Sequence, residues 1–297
     1  MDQAEKLRNI IKRQDLQPDK ERLAKVITVT SGKGGVGKTS VSVNLAIQLS
    51  QMGKRVVIFD ADFGLANIEI MLGLRPKYNL ADLMYRGKSI EDIITYGPAG
   101  IGFISGGSGI NELANLSRDQ VFSLIHRLED LDRLADIIIV DTGAGISDTV
   151  LEFVAASEEV LLVATPEPTS ITDAYALLKT LNRKVSYRQD KTVVKMVANQ
   201  VRGERDATEL FEKLGVVVEK FLDIEVEFLG SVPYDKNMRN AVMHQAPVSI
   251  TRPDSGSARA VRMLAARIEN GLADEEEDER LGIVKIFSSV IRMRFMK

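Results

Sequence analysis

Seven short apolar runs, most of them β-branched, punctuate the middle of this chain at 26–30, 56–59, 102–104, 137–140, 160–164, 193–198 and 228–232. Longer stretches with helical spacing separate them. A strand with one wet face alternates apolar and polar positions, whereas these runs are apolar nearly throughout, as strands covered on both faces are. Strands of this kind alternating with helices predict an α/β fold: a mostly parallel sheet of about seven to eight strands flanked by helices.

The two ends follow other patterns. Residues 1–24 are dense in charge, and Leu7, Ile10 and Ile11 give a helical spacing with one apolar side before Pro18 and Asp19 interrupt it. Residues 273–280 contain Asp274-Glu275-Glu276-Glu277-Asp278-Glu279, the pattern of a solvated linker or a helix end. In 281–297, Ile283, Ile286, Phe287 and Val290 fall on one helical face, flanked by Val284, Ile291, Met293 and Phe295. Lys285, Ser288, Ser289 and Arg292 lie opposite, and Arg294 intrudes on the apolar side with a side chain long enough to snorkel. The expected organisation is an extension over 1–24, one domain over 25–272, an acidic linker over 273–280 and an amphipathic helix over 281–297.

Composition narrows this picture. A chain of 297 residues with 44% apolar content supports one large core with appended tails. Its net charge of −3 argues against a surface built to grip nucleic acid, and Arg202, Arg205, Arg239 and Arg252 form no compact basic run. The chain has no cysteine, which excludes disulfides and cysteine-ligated iron–sulfur clusters. The stretch Met1-Asp2-Gln3-Ala4-Glu5-Lys6 lacks the layout of a signal peptide, and no segment has the length of a membrane span, so a cytosolic protein is expected.

The first apolar run leads into Ser31-Gly32-Lys33-Gly34-Gly35-Val36-Gly37-Lys38-Thr39-Ser40, and helical spacing resumes from Val41 to Leu49. Strand, glycine loop and helix in that order are the context of a phosphate-binding loop. The glycines let backbone N–H groups curl around phosphate oxygens, and the positive end of the helix points at the same anion. Gly32, Gly34, Gly35, Val36, Gly37, Lys38, Thr39 and Ser40 are then the cradle of a nucleoside triphosphate. Lys38 is placed to reach the β- and γ-phosphates, and the Thr39 hydroxyl to ligate Mg²⁺.

Ligands of an open parallel sheet bind beyond the carboxyl ends of its strands. Asp60 and Asp62, just after the second run, should therefore face the phosphates and jointly activate or position the attacking water. Asp141 ends the fourth run and is the candidate to hold Mg²⁺ directly or through water, with Gly143 able to offer an N–H to the γ-phosphate. Asn199 closes another run with an amide that both donates to and accepts from an adenine edge, and Pro233 is available to pack on the base plane. No Asn-Lys-x-Asp guanine reader follows Asn199, which favours ATP.

The octet Gly-Lys-Gly-Gly-Val-Gly-Lys-Thr carries a second lysine, Lys33, and resembles the deviant Walker A loop of the MinD/ParA family of dimerising ATPases. The resemblance spans nearly all of 25–272 and implies a SIMIBI/MinD-like P-loop NTPase fold, slow switch-type ATP hydrolysis and a homodimer that sandwiches ATP. It implies that Lys33 crosses the interface to the partner's nucleotide, where a cation delivered in trans stabilises the transferring phosphoryl group. It further marks Asp60 and Asp62 as a switch I pair, Asp141 as the Walker B group, and Asn199 and Pro233 as adenine contacts.

The stretch 281–297 carries four positive charges and no acid, the pattern of an interfacial membrane anchor through Ile283, Ile286, Phe287, Val290 and Ile291. The alternative is a terminal helix packed on the domain's own core or on a partner. The tail resembles the membrane-targeting sequence of MinD proteins. The head, Asp2-Gln3-Ala4-Glu5-Lys6-Leu7-Arg8, resembles that of the FlhG (YlxH) branch of the family. This implies stimulation of an FlhF-type signal-recognition-particle GTPase through Gln3, Leu7 and Arg8, with flagellar basal-body switch proteins as further partners. The implied function is an ATP-dependent switch that regulates the number and placement of flagella, cytoplasmic and peripheral on the inner face of the cell membrane when ATP is bound. A MinD-type division-site positioner, a metabolic ligase of the dethiobiotin-synthetase kind and a ParA-like DNA segregation switch are the alternatives.

Overall fold

A computed structural model describes residues 23–62, 67–107, 127–184, 192–274, 282–284 and 286–288. Its strands are β1 (Lys25–Thr30), β2 (Val56–Ala61), β3 (Thr95–Tyr96), β4 (Gly102–Ile104), β5 (Ile137–Thr142), β6 (Glu159–Ala164), β7 (Val193–Val201) and β8 (Val226–Pro233). Each apolar run of the sequence lies within one of them. β3 has no run of its own, because two residues are too few to leave a pattern. β2, β5 and β7 continue past their apolar runs to include Asp60, Asp141 and Asn199, so three polar residues sit on strand ends rather than in loops.

The eight strands form one sheet in the order β3-β4-β2-β5-β1-β6-β7-β8, parallel throughout except for the antiparallel β3–β4 edge. Successive side chains of each central strand go to opposite faces. Ile27, Val29, Ile137, Ile139, Leu161 and Val163 pack with α1 (Lys38–Gln51). Val26, Ile138, Val140, Val160 and Leu162 go to clusters on the other face, which hold side chains of the helix Asp148–Ala156. Neither face needs a polar partner, so the strands read as unbroken apolar runs. The chain leaves β1 toward one face and β5 toward the other, which opens a crevice beyond their carboxyl ends.

Between these strands, α1 is followed by α2 (Asn67–Leu72), α3 (Leu80–Tyr85), α4 (Ile90–Ile93), α5 (Asp148–Ala156) and α6 (Pro168–Asn182). Then come α7 (Glu204–Phe221), α8 (Lys236–Met243), α9 (Val248–Thr251) and α10 (Gly256–Asp274), which packs beside α1. Asn79 and Ser89 each close a capping box, at the starts of α3 and α4.

The described part of the C-terminal stretch is helical and packed. Ile283, Ile286 and Phe287 are buried with Phe59, Leu80, Leu83, Leu128, Leu131 and Phe153. The Phe287 ring stands edge-on to Phe59 and Phe153, with centroids at 4.9 and 5.4 Å. Gly282 has φ +65°, and a Cβ there would lie 2.7 Å from Asp132 Oδ2, so glycine is required. The next N–H, of Ile283, donates to Asp132 Oδ1 at 3.1 Å. Of the two arrangements open for this stretch, Ile283, Ile286 and Phe287 take the one in which the apolar face covers the domain's own core. Val290 and Ile291, like Gln3, Leu7 and Arg8, lie outside the described residues.

Candidate active site

The loop after β1 delivers the chain into α1 through Gly37, whose φ of 88° ends the turn. No side chain caps α1, and its first turn holds no acid, so the first N–H groups face the crevice without a ligand of their own. A Cβ on Gly37 would sit 2.5 Å from Asn199 Nδ2, so the loop can only close here on glycine. Residues 33–40 line a cavity of about 720 Å³ together with Ser31, Asp62, Asn67, Gly143 and Ser147. Gly32 is not among its lining residues; it packs on the backbone of α6.

Three carboxylates converge beside this cradle, each in a different environment. Asp60 and Asp141 are register partners on adjacent strands. Asp141 is fully buried and accepts from Thr39 Oγ1 at 2.7 Å and Ser42 Oγ at 2.8 Å, with Lys38 Nζ 3.7 Å away. Burial raises its pKa, against the opposing pull of Lys38 and the two hydroxyls. Asp60 is buried too and accepts the Asp62 N–H at 3.1 Å. Desolvation first, then the neighbouring Asp141, pushes its pKa up to about 8. Asp62 is only half-buried, lines the cavity, and is oriented by Asn67 Nδ2 at 2.9 Å. The pair that the sequence left joined is therefore separated in space, with Asp62 at the cavity wall and Asp60 behind it.

Mg²⁺ takes hard oxygen ligands, one or two from protein and the rest from phosphates and water. The Thr39 hydroxyl, Asp141 bonded to it and Asp62 on the wall are such a set. A hydroxyl and two carboxylates leave the other positions of such an ion to phosphates and water. Gly145 N donates to Ser31 O at 2.9 Å, which ties the loop carrying Gly143 to the phosphate loop.

A second cavity of about 460 Å³ adjoins the first, and its lining includes Asn199, Pro233, Tyr234, Met238 and Arg239. Flat and apolar groups around the amides of Asn199 and Gln200 suit a purine. Asn199 Nδ2, however, donates to Val36 O at 2.7 Å, so one end of that amide braces the phosphate loop. Lys33 points along its own subunit, with Nζ 2.7 Å from Glu167 Oε2 and 2.9 Å from Thr169 Oγ1.

Ser42, Asn67 and Glu167 were not among the residues singled out from the sequence. Ser42 lies one helical turn beyond Lys38, so helix periodicity was a sufficient signal for it. Glu167 follows β6, immediately beside β1 in the sheet, where ligand-side residues gather. Asn67 had no sequence signal stronger than its nearness to Asp62. Exposed Ile70, Ile146, Val242 and Met243 complete the picture; Ile70 and Val242 line the cavity, and Ile146 is close in sequence to its Ala144 and Ser147.

Residues 22–269 match the ParA family, described as NUBPL iron-transfer P-loop NTPase. The chain is 43% identical over 245 residues to the antiactivator FleN of Pseudomonas aeruginosa, covering 82% of this chain and 86% of that protein. It is 30% identical to the flagellum site-determining protein YlxH of Helicobacter pylori, with 92% of each chain covered. Among solved structures, the cell division ATPase MinD of Pyrococcus furiosus superposes with a TM-score of 0.65 at 26% identity, over 84% of this chain and 99% of that one.

Proposed function

We propose, for a chain that belongs to the ParA/MinD family of P-loop NTPases, that it is a dimerising switch ATPase acting in the control of flagellar number and placement. The observation that carries this reading is the 43% identity to FleN, above the 26–31% of the septum-site relatives, joined by the likeness to the flagellum site-determining protein YlxH at 30% over 92% of the chain.

The geometry supports a mechanism of positioning. The uncapped N–H groups of α1 and Lys38 hold the β- and γ-phosphates. Thr39, with Asp141 and Asp62 directly or through water, would hold Mg²⁺, which would supply neutralising charge to the phosphates when bound. Asp62 orients the attacking water, and Asp60 fixes the backbone of Asp62 from behind. Exposed Ile70, Ile146, Val242 and Met243 offer apolar area to a second subunit, which closes the cavity and brings Lys33 to the opposite nucleotide. Asn199 and Pro233 hold the adenine.

In the same reading the C-terminal helix leaves its seat in the ATP dimer and attaches to the inner membrane surface through Ile283, Ile286, Phe287, Val290 and Ile291. Two weak anchors on one dimer multiply each other. The N-terminal head, with Gln3, Leu7 and Arg8, engages an FlhF-type GTPase. The test is GTP hydrolysis by that GTPase with the full chain added. Stimulation by the wild type and its loss in Gln3→Ala support the reading. No stimulation by the wild type overturns the GTPase partnership and moves a division-site role ahead.

A further inference from the structure

Asn44 lies in the middle of α1, one turn beyond Ser40, and is 1% exposed. An amide buried in a helix interior is costly unless its polar atoms find partners. Its Nδ2 donates to Ser40 O at 2.8 Å and to Met238 Sδ at 3.7 Å. Its Oδ1 accepts the Ser249 N–H at 2.9 Å. Ser40 is in the first turn of α1, whereas Met238 is in α8 and Ser249 in α9, 194 and 205 positions beyond Asn44. One side chain thus joins the start of the phosphate-binding helix to two elements from the far end of the domain.

The junction matters most for α8. Met238, Arg239, Val242 and Met243 line the cavity that adjoins the phosphate loop, and Ser40 lines both cavities. Yet α8 has a single buried side chain, Ala241. Met238 is half-buried, and Val242 and Met243 are 37% and 72% exposed. A helix with so little apolar packing is placed mainly by its polar ties. Asp235 supplies one tie, accepting from Asn237 N at 2.8 Å and from Ser257 N and Oγ of α10 at 3.0 and 2.9 Å. Asn44 supplies another, holding Met238 on α8 itself and Ser249 on the element that follows. Asn44 lines neither cavity, so it acts only through what it holds.

We propose, on the reading of that second cavity as the adenine site, that Asn44 is a positioning residue for the nucleoside. It fixes the α8 wall of the base cavity to the helix that receives the phosphates. Without the amide, α8 loses a tie and shifts relative to the base. The phosphate loop keeps its own braces, Asn199 to Val36 and Gly145 to Ser31. Affinity should therefore fall for a ligand that carries a base and hold for one that does not.

The test is a pair of dissociation constants, for ADP and for inorganic pyrophosphate, each with Mg²⁺, measured by calorimetry on the full chain. Pyrophosphate offers two linked phosphates without ribose or base, and wild type should bind ADP the more tightly. Asn44→Ala should weaken ADP about five- to thirty-fold, the effect of a buried hydrogen bond lost, and leave pyrophosphate within about two-fold. If Asn44→Ala does not fold, Asn44→Ser gives the same comparison, since its smaller side chain leaves room for a bridging water. A purely structural amide would weaken both ligands alike or neither. A ratio of the two constants that stays at the wild-type value overturns the positioning role alone. Wild type that binds ADP no more tightly than pyrophosphate overturns the adenine-site reading and the role of Asn44 with it.

Discussion

Burial of Asp60 behind Asp62 makes its charge state a property of the fold, and this has a measurable sign. Its folded pKa of about 8 lies above the ordinary carboxylate value, so the folded chain keeps a proton that the unfolded chain has released. Below about pH 4 both states are protonated and the group contributes nothing. As pH rises from there, ionisation favours the unfolded state increasingly, until the folded state also ionises near pH 8. Asp60→Asn retains an oxygen for the Asp62 N–H and removes the titration. The melting temperature of nucleotide-free Asp60→Asn should equal that of wild type near pH 4 and exceed it by a widening margin up to about pH 8, then level off. A constant difference across pH would show that Asp60 is not the group responsible. Ser42 offers a second test at this scale. Ser42→Ala removes a hydroxyl from a fully buried carboxylate and should lower stability by about 1.5–3 kcal/mol in urea unfolding. Lys33→Ala should retain ATP binding while losing dimer-dependent hydrolysis; full turnover in that variant would remove the trans lysine from the mechanism.

At the scale of elements, the legible features were those with a long or repeated signal. Strands apolar on both faces announced the parallel sheet, and strand–glycine–helix announced the phosphate loop before any geometry was known. Features that depend on distant chain segments were not legible. The two-residue β3 carries no periodicity, and only strand adjacency separates Asp62 at the wall from Asp60 behind it. Nothing local reveals that Asn199 braces Val36, because the bond joins residues 163 positions apart. The C-terminal helix is the clearest instance. Its amphipathic pattern fits a membrane and a protein groove equally, and the groove is assembled from β2, α3, α5 and the segment around Leu128 and Leu131. Its glycine is the local clue, since Gly282 at φ +65° lies tight against Asp132. Gly282→Ala should therefore loosen the helix without unfolding the domain. Hydrogen exchange should quicken at Ile283 and Ile286 while β1 and β5 amides stay protected; an equal loss of protection in the sheet would mean the two are one cooperative unit.

For the whole molecule, the seat of that helix is close to thermodynamic balance. Burying Ile283, Ile286 and Phe287 contributes roughly 5–9 kcal/mol, and the two ring contacts of Phe287 about 2 more. Ordering the backbone of the six residues 282–284 and 286–288 costs about 6–12 kcal/mol at about 1–2 kcal/mol per residue. The sum lies within a few kcal/mol of zero, so a competing apolar environment of similar depth can displace the helix. In the proposed reading an anionic membrane is such an environment, because it would receive the same three side chains and attract the basic face. If seat and membrane compete for one face, damage to the seat alone should favour the membrane without nucleotide. Phe153→Leu alters only the domain side of the ring cluster and leaves 281–297 untouched. A loss of about 1 kcal/mol from the seat would raise nucleotide-free binding to anionic vesicles about five-fold. The same substitution in a chain lacking 281–297 should give no binding at all. Vesicle flotation measures both. Equal binding by wild type and Phe153→Leu would separate the buried helix from membrane attachment, and binding by the truncated chain would place the anchor elsewhere.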